Sequence, residues 1–181
     1  MQIKDPDMIS RSNLLTNKYI LVPLIMLGLM AGFFYSYSVS VMPGLNHAQP
    51  QVAIAAMQSL NITIRNPTFF VTFFLTIPVG LVGALLLWRN HQKRASIWLA
   101  LASLIYLFGA VIPTGMINVP MNDALGIQSV PTDFAAASDL WWSYAPSWTF
   151  WNTFRTMTTM LALLICACAI SQLQASPERV S

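Results

Sequence analysis

Four apolar runs, Tyr19 to Met42, Pro67 to Trp88, Ser96 to Ile117 and Trp148 to Gln172, leave this chain one class of fold. Each is long enough to cross a hydrocarbon core of about 30 Å, which takes roughly 20 apolar residues as a helix. Spanning strands would alternate in segments of about 10 residues, whereas these runs are continuously apolar. Only 8% of the 181 residues are charged and 56% are hydrophobic, against roughly 25% charged in ordinary soluble domains. The chain therefore reads as all-α: an integral membrane bundle of four transmembrane helices, residues 1–181 forming a single membrane domain. Its tails and longest connection are too short to build a separate soluble core. The first run follows Lys4, Arg11 and Lys18, but its 24 residues exceed the roughly 7–15 of a signal-peptide core, so it reads as a retained span.

Orientation follows from the basic residues. Lys4, Arg11 and Lys18, then Arg89, Lys93 and Arg94, then Arg179 fall on one side of the predicted topology, while Arg65 lies in the first connection and Arg155 inside the fourth run. The positive-inside rule then places both tails in the cytoplasm and the long connections outside, in the cell (plasma or inner) membrane. Asp123, Asp133 and Asp139 make the outer side slightly acidic. The net charge of +3 is thus a record of topology; it implies the lipid bilayer as partner and no nucleic acid.

Helices in lipid associate through small residues that let backbones approach closely. Gly28, Gly32, Ser36 and Ser40 recur every four residues along the first span, and Gly80 with Ala84 gives the second a shorter version. These faces are expected to make helix contacts, within the bundle or between copies in a homo-oligomer. Pro78 and Pro113 are expected to kink their helices. Cys166 and Cys168, two apart on a helix, point in different directions and read as small apolar filler.

Polar chemistry gathers in the outer connections. Between the first two spans, "QPQVAIAAMQSLNITIRNP" predicts an extra short amphipathic helix: Gln51, Gln58, Asn61 and Arg65 share one face, with Ala53, Leu60 and Ile64 roughly opposite. It either lies at the interface with its polar face in water or folds back over the bundle. Between the third and fourth spans, "NVPMNDALG" sets Asn118, Asn122 and Asp123 just beyond the membrane, with Pro120 and Pro131 punctuating a loop. Turn and capping roles for these residues stand beside a functional one.

The fourth span holds the costliest residue. With Trp148 at the interface, Arg155 lies roughly 10 Å deeper along the helix. An unpaired arginine costs about 2.5–3.5 kcal/mol at mid-membrane and less near an edge. Asn152, Thr156 and Thr159 share its side of the helix, giving a polar strip confined to the outer half. Snorkelling beside an aromatic belt of Trp141, Trp142, Trp148 and Trp151 is one account of Arg155; a site built on Arg155 and Asn152 is the other.

Four segments, "VMPGL" ending at Leu45, "QSLNITIRNPTF" (Gln58 to Phe69), "NVPMNDAL" (Asn118 to Leu125) and "WTFWNTFR" (Trp148 to Arg155), occur in order at the outer ends of the predicted spans. In this the chain resembles the anthrone oxygenase-like integral membrane proteins, over nearly its whole length. The resemblance implies oxidation of a polyketide anthrone to an anthraquinone by dioxygen without an evident cofactor. Such chemistry requires binding a flat lipophilic aromatic molecule, taking a proton and stabilising an anion. It assigns oxyanion stabilisation to Arg155, with Asn118, Asn122 and Asn152 positioning it. Trp148 and Trp151 would stack on the rings, and Gln58, Asn61 and Asn66 would contact substrate from the first connection. The family often has a histidine directly after the last asparagine, where this chain has Thr153. His47, the one histidine on the outer side, becomes the candidate base, and Asp123 competes with it.

No ligand-spaced cluster of histidine and cysteine occurs, His47 and His91 being on opposite predicted faces, and no phosphate loop or dinucleotide fingerprint is found. No cofactor is therefore expected. A non-catalytic membrane protein that binds lipophilic small molecules, or assists assembly of a partner enzyme, is the reading from a different class. Transport fits less well, because polarity lies at one end only and no paired repeat of broken helices is evident.

Overall fold

The structure, a computed structural model, describes residues 6–173, with side chains from residue 18 onward. Lys4 and Arg179, used above for orientation, lie outside the described residues, as does the side chain of Arg11. Among the described residues all regular structure is helical. Helix α1 (Pro6–Ser36) continues through a π-helical turn, Tyr37–Val41, into Met42–His47. A short helix α2 (Pro50–Thr63) leads to α3 (Pro67–Arg89). Helix α4 begins at Lys93–Tyr106 and runs through two π-helical turns, Leu107–Val111 and Thr114–Asn118, to Val119–Gly126; α5 is Phe134–Ser171. Four of these helical stretches, Lys18–His47, Pro67–Arg89, Lys93–Gly126 and Phe134–Ser171, are long and apolar enough to cross a membrane.

The spans pack in a ring, α1 on α3, α3 on α4, α4 on α5 and α5 on α1. Their core joins Leu27, Met30 and Phe34 to Phe73, Leu87, Leu99, Tyr106 and Cys166. Cys168 is exposed, so the two cysteines do diverge as their spacing requires.

Two helices reach well past their apolar runs. At 38 residues, α5 is about 57 Å long, nearly twice a hydrocarbon core of about 30 Å. The segment from 118 to 147, read from the sequence as one long connection, is helical at Val119–Gly126 and again from Phe134. Pro120 stands second in the Val119–Gly126 stretch, directly after the π-helical turn Thr114–Asn118. The Asp133 side chain caps α5 by accepting from the Ala136 amide at 2.8 Å. What sustains the extension is a second core: Trp141, Tyr144, Ala145 and Trp148 of α5 close on Ala53, Ile54 and Met57 of α2 and on Leu125. Helix α2 therefore folds back over the bundle. Its Gln58 is not turned to water but donates to the Leu125 and Gln128 carbonyls, both at 2.9 Å.

The prolines are absorbed in different ways. Helix α3 continues through Pro78, whereas Pro113 sits between the two π-helical turns of α4. Proline has no N–H to offer the carbonyl four residues back, here that of Gly109. Thr158 Oγ1 on α5 lies 2.8 Å from that carbonyl and donates to it, sharing its proton with the Phe154 carbonyl at 2.9 Å. A Cβ on Gly109 would fall 2.4 Å from Thr158 Cβ, so the rescue requires glycine.

Within the bundle, the long small-residue stripe is not where the described helices approach most closely. A Cβ on Gly32 would have no neighbour within 4 Å, and one on Gly28 would reach only Leu163 Cδ1 at 4.0 Å. Close approach falls on α3 instead: a Cβ on Gly80 would lie 2.2 Å from Ser103 Oγ, and one on Gly83 would lie 2.5 Å from the Tyr19 carbonyl oxygen. Periodicity alone marks a stripe without saying which way it faces, and the larger Leu27, Met30 and Phe34 turn inward here. Because the Tyr19 oxygen is backbone and cannot rotate away, Gly83→Ala is expected to lower stability by about 1–3 kcal/mol. Gly32→Ala should leave it unchanged. Unfolding of the purified protein in mixed detergent micelles, with SDS as denaturant, measures both.

Candidate functional site

Arg155 is 4% exposed. Counted from Ser171, it lies about 24 Å along α5, toward the far edge of a 30 Å core. Among the described residues no carboxylate pairs with it; the ion pair found is Arg65 with Asp123. Neutral groups hold it instead. Nη1 donates to Thr114 Oγ1 at 2.9 Å, and Nη2 donates to Asn152 Oδ1 at 2.9 Å. The guanidinium lies over the rings of Phe34, 4.7 Å to the centroid, and Trp148, 5.5 Å, contacts worth more when water is excluded. Nε is buried without a partner. The charge is thus fixed in place and left uncompensated.

Asn152 positions it. One turn from Arg155 on α5, its Nδ2 donates to the Phe34 carbonyl and to Ser38 Oγ of α1, both at 2.8 Å, while Oδ1 accepts from the guanidinium. Thr114 does the same from α4, donating to the Ala110 carbonyl at 2.8 Å while accepting from Arg155. Three spans consequently converge on one cation. Thr153 Oγ1 meets Ser38 Oγ at 3.1 Å.

Above this level, Asn122 Oδ1 accepts from Trp148 Nε1 at 2.7 Å and from the Tyr144 hydroxyl at 2.8 Å, which fixes the indole. Asn118 is 1% exposed; its Oδ1 has no partner, and its Nδ2 reaches the Trp148 carbonyl at 3.4 Å.

These groups form the polar corner of a cavity of about 350 Å³. Its other walls are aromatic: Phe33, Tyr37, Phe69, Phe73 and Trp148. Phe69 stacks on Phe73 with centroids 5.2 Å apart, and Tyr37 packs on Trp148 at 5.5 Å. The size and the balance of apolar wall to few polar groups are those of a small-molecule site. All three π-helical turns contribute lining residues, Tyr37 from the first, Val111 from the second, Thr114, Gly115 and Asn118 from the third. Such turns widen a helix locally and recur at functional sites.

Of the residues singled out from the sequence, Arg155, Asn152, Asn118, Asn122, Trp148 and Asn61 line this cavity. Four do not. His47 is exposed, its Nδ1 bonded to the Pro43 carbonyl at 2.7 Å. Trp151 packs among Phe150 and Phe154. Asn66 caps α3, accepting from the Phe69 amide at 3.0 Å, and Gln58 fastens α2 to the end of α4. Asp123 is paired with Arg65 and lines an adjoining surface pocket. Sequence reasoning missed Thr114, Ser38, Tyr37 and the phenylalanine wall. A signal existed for the wall in "GFFYSYS" and "TFFVTFF", where Phe33 with Tyr37 and Phe69 with Phe73 repeat at i, i+4. Among the described residues no three His, Cys, Asp or Glu side chains come together as a metal set would.

A family model described as anthrone oxygenase matches residues 66–165. No curated protein and no solved structure matches the chain. The matched stretch includes Thr114, Asn118, Asn122, Trp148, Asn152 and Arg155 and leaves out His47, Gln58 and Asn61.

Proposed function

The chain belongs to the anthrone oxygenase family, and on that premise we propose that its cavity binds a flat, weakly acidic polycyclic phenol and oxidises it with dioxygen. The observation that carries this reading is Arg155: a buried cation with no counter-ion among the described residues, facing an aromatic cavity. An anion 4 Å from it gains about 4 kcal/mol at an effective dielectric near 20, roughly a thousandfold in ionisation. In an anthrone-like substrate, proton loss from the CH₂ conjugated to the carbonyl puts negative charge on the carbonyl oxygen, where Arg155 stabilises it. The carbanion then passes an electron to O₂; the radicals combine at that carbon, and loss of water leaves a second carbonyl. In sum CH₂ and O₂ become C=O and H₂O, with O₂ the oxidant. Phe69, Phe73 and Trp148 sandwich the rings, and Asn118 Oδ1 is an acceptor for a substrate hydroxyl.

The cavity lining contains neither carboxylate nor imidazole. The residues there supply anion stabilisation, and the proton passes to water. That same lack of a base favours a second reading, in which the protein holds a lipophilic phenolate without transforming it. Oxygen uptake separates the two. Membranes containing the protein, given an anthrone, should consume dissolved oxygen and form quinone absorbance in proportion to protein, above membranes without it. Ligand binding with no excess uptake across a panel of acidic phenols would leave the binding reading.

For orientation, Lys18, Arg89, Lys93 and Arg94 stand at the end of the bundle opposite Arg65 and Asp123. We place that end in the cytoplasm of a cell membrane, with both termini, on the positive-inside rule.

A further inference from the structure

The cavity has a side as well as a roof, and they are built differently. The Tyr106 hydroxyl donates to the Phe73 carbonyl at 3.1 Å, joining α4 to α3 at mid-height. Beyond that bond the two helices part: α3 packs along Lys93–Tyr106, touches Leu107–Val111 slightly, and makes no comparable contact with the stretch from Thr114 to Gly126. Residues at the gap face both ways. Phe70 and Phe74 line the cavity yet are 41% and 52% exposed. Gly115 also lines it, is exposed, and has open space where a Cβ would stand. At 23 residues, α3 is about 34 Å long, close to the hydrocarbon thickness, so Phe70 and Phe74 in its first two turns sit at acyl-chain depth.

The roof, by contrast, is fastened. Asn61, Ile64 and Arg65 at the end of α2 close over the cavity. Arg65 is ion-paired to Asp123, and Gln58 holds α2 to the Leu125 and Gln128 carbonyls. We infer that the cavity is filled sideways from the bilayer, through the gap between α3 and α4 framed by Phe70, Phe74, Val111 and Gly115. Its ligand is accordingly an uncharged polycyclic phenol dissolved in lipid, which ionises only once it reaches Arg155. This rests on the ligand class proposed above, but the gap itself does not.

Two measurements keep those apart. In a Cys166→Ala, Cys168→Ser background, a fluorophore on Gly115→Cys in reconstituted vesicles should be quenched by phospholipids brominated along the acyl chain and hardly by aqueous iodide. The reverse pattern overturns the side opening, whatever the ligand. For filling, a hydroxyanthraquinone pre-dissolved in the vesicles is the probe. Its association should slow roughly tenfold or more in Gly115→Trp, because the indole must move before docking. Asp123→Asn, which loosens the roof, should leave that rate unchanged. A normal rate in Gly115→Trp with a faster one in Asp123→Asn would show filling from water and sink the inference. If the wild type binds no such probe, the ligand class fails, and the quenching result alone decides the opening.

Discussion

Arg155→Gln is expected to lower the rate of anthrone oxidation about 10²–10³-fold, the loss seen when one donor to a developing oxyanion is removed. The variant should still fold. Glutamine is shorter and neutral, so it relieves an insertion cost that is about 2.5–3.5 kcal/mol at mid-membrane and smaller at the depth of Arg155, while giving up two bonds worth about 0.6 kcal/mol each between membrane helices. Thermal unfolding in detergent should therefore hold or rise while turnover collapses. Arg155→Lys keeps the charge, but one ammonium cannot reproduce a planar fork that reaches Asn152 on one side and Thr114 on the other. An intermediate rate is expected. Quinone absorbance in membranes normalised for protein measures all three, and a glutamine variant at the wild-type rate would remove Arg155 from the chemistry.

The residues that were legible beforehand and those that were not differ by what made them visible. Hydrophobic run length exposed the four spans, because the bilayer imposes a length on every crossing helix. Arg155 and Asn152 stood out since polar groups inside an apolar run are costly. Thr114 and Ser38 did not, because a threonine or serine in a membrane helix can satisfy its own hydroxyl on a carbonyl one turn back. Thr76 does so with the Thr72 carbonyl at 2.6 Å. Only the position of α5 shows that the Thr114 and Ser38 oxygens also accept from Arg155 and Asn152. The helical extensions after Asn118 and before Trp148 were hidden for a related reason. Their polar and aromatic residues look like a loop against a lipid background, yet they form a second core, buried against α2. The small-residue stripe is a weaker guide, since within the bundle a Cβ on Gly28 would meet only Leu163 Cδ1 at 4.0 Å and one on Gly32 would have no neighbour within 4 Å.

Why the residue beside Arg155 is an asparagine, with an aspartate's shape but no charge, leads to the most discriminating variant. Asn152 accepts from Arg155 at one end of its amide and donates to the Phe34 carbonyl and Ser38 Oγ at the other. Asn152→Leu removes all three bonds, about 2 kcal/mol at the 0.6 kcal/mol average for such bonds. It also leaves the guanidinium with Thr114 as its one hydrogen-bond partner, beside the Phe34 and Trp148 rings. Its charge survives but its position loosens, so kcat should fall while KM, set by the aromatic walls, stays near wild type. Asn152→Asp keeps an acceptor for Arg155 and gives it a counter-ion within bonding distance, while losing the bond that Nδ2 donates to the Phe34 carbonyl. If Arg155 works as an uncompensated positive charge, that carboxylate should cost as much rate as Arg155→Gln does, although the guanidinium is held at least as firmly. Were Arg155 merely a structural strut, the aspartate would strengthen the strut and leave turnover intact. Steady-state kinetics on the two Asn152 variants, beside their unfolding midpoints, thus separates a held charge from a held shape.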